Sequence, residues 1–132
     1  MAKSLNLTHN QNLVFNVLKK SKKPLSAYTI LDQLRDHGFK APLQVYRALE
    51  KLIEFGVIHR LESLNAFISC NHDHPQHAAI IAFTICKSCG TVCEFSDQAI
   101  SKRINLAATS QNFQIANTTI EIEGQCHNCI NQ

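Results

Sequence analysis

Two cysteine pairs of the same spacing could together bind a metal ion. CKSC (Cys86 and Cys89) and CHNC (Cys126 and Cys129) each separate their thiols by two residues, and 36 residues lie between the pairs. A two-residue spacer lets both thiolates of a turn point at one ion, and two such turns complete a tetrahedral Zn²⁺ site. The spacing therefore predicts a structural zinc. The alternatives are unconnected cysteines or a redox pair, but no clear βαβ pattern of the kind that accompanies redox pairs is present.

Such a site would be closed, because protein sulfur fills all four positions around the metal. It would hold the chain together and leave no position open for catalysis. Structural zinc sites release roughly 10–16 kcal/mol of apparent binding free energy, which is available to folding. The second pair lies close to the last residue, so this tie would join the middle of the chain to its end.

A second group of metal-competent residues lies outside the pairs. It consists of His59, Cys70, Glu94 and the histidines of the segment 71–77. One sulfur, two imidazoles and a carboxylate form a good tetrahedral zinc set, whereas iron and manganese more often take sites richer in nitrogen and oxygen. Taken singly, His59 and each histidine of 71–77 are better explained as solvated side chains, and Cys70 as a small buried apolar residue. Cys93, on the strand face opposite Glu94, is expected to be a buried packing residue.

Composition limits the class of protein. The chain has 132 residues, of which 45% are apolar and 17% charged, as expected for a globular protein of one domain or two small ones. No run approaches the roughly 18 apolar residues of a membrane span, and the first residues lack the apolar stretch of a signal peptide. We therefore expect a cytoplasmic protein with reduced thiols and without membrane partners.

Charge is distributed unevenly between the two halves. Residues 1–60 hold ten of the thirteen Lys and Arg residues and four acids, a balance of +6. Residues 61–132 hold the other three bases and six acids, a balance of −3. The first half therefore has the electrostatic bias of a polyanion-binding module.

The first half predicts three helices followed by a hairpin. The expected helices are 8–20, 27–38 and 42–56, and the expected strands are 57–61 and 65–70. This order is that of a winged helix-turn-helix, in which the third helix enters the major groove. Tyr46, Arg47 and Lys51 fall outside the apolar face of that helix. A plain helical bundle would show the same periodicity, with these three residues merely solvated.

The second half predicts a small α/β unit after a loop. Strands are expected at 78–86 and 91–95, a helix at 96–110 and a strand at 113–124. The whole chain is thus expected to be α+β, a winged helix-turn-helix followed by a small α/β domain with a structural zinc. We predict domains at 1–71 and 79–132, joined by a hinge at 72–78.

The sequence resembles the ferric uptake regulator family and, within it, the zinc uptake regulator branch. The resemblance covers nearly the whole chain and is carried by QVYRALEKLIEFGVIHRLES (44–63), the His-rich hinge, CKSCG (86–90) and CHNC (126–129). It implies a dimeric, metal-dependent repressor whose second domain forms the dimer. Cysteine at position 70 favours the zinc-sensing branch over the iron-, manganese- and peroxide-sensing ones.

The resemblance also assigns roles by position. The structural zinc ligands would be Cys86, Cys89, Cys126 and Cys129. The sensing ligands would be His59, Cys70, His77 and Glu94, with His72 or His74 as alternatives to His77. The residues that contact DNA would be Tyr28, Tyr46, Arg47 and, by its position on the third helix, Lys51.

We therefore expect a zinc-responsive transcriptional repressor of zinc uptake genes, which binds double-stranded operator DNA as a homodimer. A regulator of the same family that responds to iron, manganese or peroxide is the alternative. An enzyme is not expected: zinc deaminases need H-x-E and P-C-x-x-C signatures, and the chain has neither. No small-molecule substrate is expected either.

Overall fold

The computed structural model describes residues 6–21, 23–70, 80–116 and 118–131. These residues divide into two compact units, the first ending at residue 70 and the second beginning at residue 80. Within the described ranges, no helix combines the length and apolarity that a membrane span requires.

Three helices build most of the first unit. They are α1 (His9–Lys20), α2 (Ala27–Leu34) and α3 (Pro42–Glu54), and a short 3-10 turn, Arg35–His37, extends α2. Helices begin where side chains can satisfy free backbone N–H groups. The Thr8 hydroxyl accepts from the backbone N–H of Gln11 at 3.2 Å, and the Gln11 side chain accepts from the N–H of Thr8 at 3.0 Å. Ser26 caps α2 through the N–H of Thr29 at 3.2 Å.

The helices pack around one apolar core. Its most completely buried side chains include Val14, Leu18, Ile30, Val45 and Leu52. Burial of a side chain of this size contributes roughly 1.5–3 kcal/mol. These contacts fix α3 against α1 and α2 and leave its opposite face to solvent.

A β-hairpin follows α3 and completes the unit. Strands β1 (Ile58–Leu61) and β2 (Ala66–Ser69) pair antiparallel, with His59 opposite Ile68. Leu25 adds a short bridge, because it exchanges backbone hydrogen bonds of 2.9 and 2.8 Å with Phe67. Three helices and a hairpin confirm the predicted winged helix-turn-helix.

The second unit is a three-stranded sheet with one helix. Its elements are β3 (Ile81–Cys86), β4 (Val92–Ser96), α4 (Gln98–Ser110) and β5 (Ile120–Gly124), with the strand order β4-β3-β5. β3 runs antiparallel to β4 and parallel to β5. Asp97 caps α4, and the buried hydroxyl of Ser101 accepts from the backbone N–H of Ile80.

Three details of this unit differ from expectation. The first strand was predicted at 78–86, but among the described residues β3 begins only at Ile81. The last strand is shorter than the predicted 113–124, because β5 pairs with β3 only from Ile120 to Gly124. Cys93 was expected to be buried, and this was wrong: its side chain is exposed. Cys93 lies opposite Thr84 of β3, which is also exposed, so this row of the sheet has no covering layer within the described chain.

Candidate metal centres and nucleic-acid interface

The four paired cysteines meet at one point of the second unit. Their sulfur atoms all lie within 4.8 Å of one another, and those of Cys89 and Cys126 are 3.7 Å apart. Cys86 is buried, and the other three are half-buried. The predicted tie between the middle of the chain and its end is therefore present as a compact sulfur cluster.

Strand pairing explains why the two turns meet. β3 ends at Cys86, which lies opposite Gly124 at the end of the parallel strand β5. The N–H of Lys87 donates to the carbonyl of Gly124 at 2.8 Å, which fixes the first turn beside the second. Gly90 closes the first turn with a φ of 79°, a conformation that glycine adopts without strain. Because both strands finish at the same sheet edge, their cysteines converge.

Backbone amides stabilise a negative charge on Cys86. Its sulfur accepts from the N–H groups of Cys126 at 3.3 Å and Cys89 at 3.5 Å. These two hydrogen bonds, that of Cys126 first, lower the pKa of the Cys86 thiol to about 6. These hydrogen bonds therefore favour the thiolate form of Cys86 at neutral pH, which is the form in which cysteine binds metal.

The pKa values of Cys89 and Cys129 are shifted in opposite directions by neighbouring groups. The hydroxyl of Thr91 lies 3.0 Å from the Cys89 sulfur and is the main cause of a lowered Cys89 pKa. The neighbouring sulfurs of Cys126 and then Cys86 raise the pKa of Cys129 to about 12. Four thiolates so close together require a compensating cation. Four sulfur ligands suit zinc or an iron–sulfur centre, and they leave no open position.

A nitrogen and a sulfur approach each other in the first unit. The ligand atoms of His59 on β1 and Cys70, just after β2, lie within 4.8 Å of one another, and both residues are half-buried. The backbone N–H of Cys70 donates to the carbonyl of Val57 at 2.9 Å, so the hairpin holds the cysteine in place. Two of the predicted sensing ligands are therefore neighbours.

The other predicted sensing ligands do not belong to the described part of the first unit. Glu94 belongs to the second unit, half-buried on β4 opposite Phe83. His72, His74 and His77 lie outside the described residues. Their participation in the sensing site remains a prediction.

The predicted DNA contacts lie on the solvent side of the helical unit. Tyr28 is 63% exposed, Tyr46 37%, and Arg47 and Lys51 are exposed too. Arg47 and Lys51 line a groove that the N-terminal residues of α1 close on the other side. The Lys51 ammonium pairs with Glu54 at 3.2 Å, but both side chains are exposed and the pair is weak. The face of α3 that carries Arg47 and Lys51 is therefore accessible to a large partner.

Thr91 is the residue near the cysteine cluster that sequence reasoning missed. A threonine two positions after a CxxC turn has no distinctive pattern. Only the turn at Gly90 brings its hydroxyl back to the sulfur of Cys89.

Comparison with known proteins agrees with this geometry. Residues 2–123 match the sequence model of the Ferric uptake regulator family. The chain is 32% identical, over 130 residues, to the Zinc uptake regulation protein of Escherichia coli (strain K12), a match that covers 97% of this chain and 75% of that protein.

Two solved structures are also similar. The crystal structure of holo XcZur has a TM-score of 0.86 at 34% identity, covering 98% of this chain and 90% of that one. A zinc uptake regulator complexed with zinc and DNA has a TM-score of 0.89 at 30% identity, covering 98% and 86%.

Proposed function

The chain belongs to the Ferric uptake regulator family, and we propose that it is a zinc-responsive, DNA-binding repressor of zinc uptake genes. One observation carries the choice of metal: a cysteine, Cys70, lies within 4.8 Å of His59 at the end of the wing hairpin. A thiolate ligand suits zinc better than manganese or ferrous iron. A zinc uptake regulator in complex with zinc and DNA, 30% identical to this chain, supports the same reading.

The protein holds zinc for two purposes. Cys86, Cys89, Cys126 and Cys129 form the structural site, which supports the second unit. His59, Cys70, Glu94 and His77 form the sensing site, with His72 or His74 as the alternative to His77. The sensing residues come from 1–71, the hinge 72–78 and 79–132, so zinc bound there would favour one arrangement of these domains.

The response to zinc is a shift between two populations. A ligand moves such an equilibrium only by its difference in affinity for the two states. The sensing residues would bind zinc more tightly in the arrangement that fits the operator. Low zinc would then release the DNA and allow transcription of the uptake genes.

A homodimer brings two recognition helices to one operator. The second unit supports dimer formation, because several of its large apolar side chains are exposed in the single chain. They include Leu106 at 54%, Phe113 at 64%, Ile122 at 47% and Ile130 at 63%. A second copy would cover such a surface. Two symmetric helices then meet successive major grooves of a palindromic site.

The recognition helix α3, together with Tyr28 of α2, supplies the contacts to operator DNA. Arg47 reads a guanine through a bidentate hydrogen bond. Tyr28 and Tyr46 pack on the sugar-phosphate backbone and bases beside it, and Lys51 contacts a phosphate. The excess of Lys and Arg in the first sixty residues makes affinity fall with salt.

This regulator is not an enzyme, and it acts in the cytoplasm, where operator DNA is accessible. The four-cysteine site supports the first point, since its ligands leave no position for a substrate. Its partners are double-stranded DNA and a second copy of itself.

Operator binding measured against each candidate metal tests the proposal. The probe is a fluorescent duplex selected from a random pool for binding to the zinc-loaded protein, and the readout is anisotropy at buffered free Zn²⁺, Fe²⁺ or Mn²⁺. We expect zinc to raise the affinity for DNA at the lowest free concentration of the three. A response to iron or manganese without one to zinc would identify the alternative regulator.

A further inference from the structure

Thr91 occupies a fixed position beside the cysteine cluster. It lies between the turn that carries Cys89 and the first residue of β4, Val92. Its carbonyl accepts from the backbone N–H of Cys86 at 2.9 Å, which ties it to the end of β3. Its hydroxyl lies 3.0 Å from the sulfur of Cys89.

The chemistry of a bound metal determines the direction of this contact. A cysteine that ligates zinc is a thiolate and carries no proton. The Thr91 hydroxyl must then be the donor and the Cys89 sulfur the acceptor. A hydrogen bond to a thiolate withdraws charge from the sulfur and fixes its position, and such partners around a ligand tune the metal site.

We propose that Thr91 is a positioning residue of the structural zinc site, whose hydroxyl holds the Cys89 thiolate in place and protects it from electrophiles. The proposal rests on the zinc assignment above and adds a residue that no motif contains. Thr91 acts through Cys89 and does not itself touch the metal.

The surroundings of the site make this protection necessary. A groove of about 290 Å³ is lined by Cys86, Thr91, Cys93 and Cys126, among others. Small oxidants and alkylating reagents can therefore approach the cluster along the side that carries Cys86 and Cys126. Cys89 is half-buried, so burial alone does not shield it.

The Thr91 hydroxyl can be removed without removing the backbone hydrogen bonds to the Cys86 sulfur. Cys86 receives its hydrogen bonds from backbone N–H groups, which no side-chain substitution deletes. Cys89 receives hydrogen bonds from both the hydroxyl and the backbone N–H of Thr91, and Thr91→Val replaces only the hydroxyl, with a methyl group of nearly the same shape. Thr91→Ser keeps the hydroxyl and removes only the methyl group.

The experiment measures zinc retention and sulfur reactivity in the full-length, zinc-loaded protein. Zinc release to a chromophoric chelator gives one rate, and peptide mass spectrometry after N-ethylmaleimide gives the rate of Cys89 modification. We expect Thr91→Val to raise both rates, and zinc release by about 10-fold or more, because the loss of such a partner typically weakens metal binding by that factor. Thr91→Ser should stay close to the wild-type rates.

Two further variants keep the result interpretable. Thr84→Val makes the same chemical change at an exposed position of β3 and should leave both rates unchanged. Thr91→Ala removes the hydroxyl without adding a methyl group and should behave like Thr91→Val. It therefore tests the proposal even if the valine variant has a folding defect. Unchanged rates in both variants, or a serine variant as labile as valine, would overturn the proposal. If the zinc assignment itself is wrong, the wild-type protein will contain no zinc bound by the four cysteines. That result is distinct from unchanged rates in the Thr91 variants.

Discussion

His59 and Cys70 place their ligand atoms within 4.8 Å of one another on the wing hairpin. The approach is produced by the hairpin itself. β1 and β2 pair in a register that puts His59 opposite Ile68, and the N–H of Cys70 continues the pairing to the carbonyl of Val57 at 2.9 Å. Backbone hydrogen bonds therefore hold half of the proposed sensing set together, and metal binding does not have to organise it.

Glu94→Gln tests the carboxylate of the sensing set. The substitution keeps the shape of the side chain but removes its charge, so we expect the zinc concentration needed for operator binding to rise by about 10-fold or more. Anisotropy at buffered free zinc measures the shift. Glu121→Gln is the matched control, because Glu121 lies opposite Phe83 on β5 as Glu94 does on β4. An equal shift in both variants would argue against ligation by Glu94.

The hinge histidines should contribute unequally. If His77 completes the sensing site, His77→Ala should weaken the zinc response of operator binding far more than His72→Ala or His74→Ala, since only a ligand binds the metal directly. Zinc stoichiometry and operator affinity are measured for all three variants. If the zinc response is instead lost in His72→Ala or His74→Ala, that histidine is the hinge ligand. The assignment of His59, Cys70 and Glu94 would be unchanged.

Cys126→Ser should unfold the second unit. A structural zinc contributes roughly 10–16 kcal/mol of apparent free energy, which is as large as the whole stability of an ordinary domain. Thermal unfolding followed by circular dichroism should lose the transition of this unit, and gel filtration should show loss of the dimer. Cys93→Ser is the control, because Cys93 is exposed and lies outside the cluster. A stable, dimeric Cys126→Ser protein would contradict the structural role.

Arg47→Ala and Lys51→Ala should weaken DNA binding in different ways. Loss of a guanine contact costs about 1–3 kcal/mol and relaxes specificity at one base pair. Loss of a phosphate contact weakens binding to all sequences and reduces the salt slope by about one. Titrations with matched and single-substituted duplexes at several salt concentrations separate the two. A uniform, salt-dependent loss in Arg47→Ala would make Arg47 a phosphate contact.

The first unit could be predicted well because its signals are local. Thr8 and Ser26 mark helix starts, Pro42 opens α3, and Gly38 ends the second helical segment with a φ of 94°. Each is a choice of residue that the backbone geometry requires at that position. The cysteine cluster was predictable for the same reason, because the two-residue spacing within each cysteine pair is a local property of one turn.

Several features of the second unit depend on contacts between distant residues, which local sequence patterns cannot show. Pairing of β3 with the distant, parallel β5 depends on contacts between segments far apart, which periodicity does not encode. Cys93 was misjudged because alternation tells which residues share a face but not whether that face is covered. The contact of Thr91 with Cys89 likewise arises only once the turn has formed.

Zinc titration of operator binding by the Cys70→Ser variant tests whether Cys70 confers the zinc response. Serine keeps the size of the side chain but removes the thiolate that selects zinc, while the four-cysteine site is left intact. We predict a dimer that folds as the wild type does and whose affinity for the operator duplex no longer rises with free zinc. If its affinity rises with zinc as in the wild type, Cys70 is not a sensing ligand and the proposed basis of the zinc response is wrong.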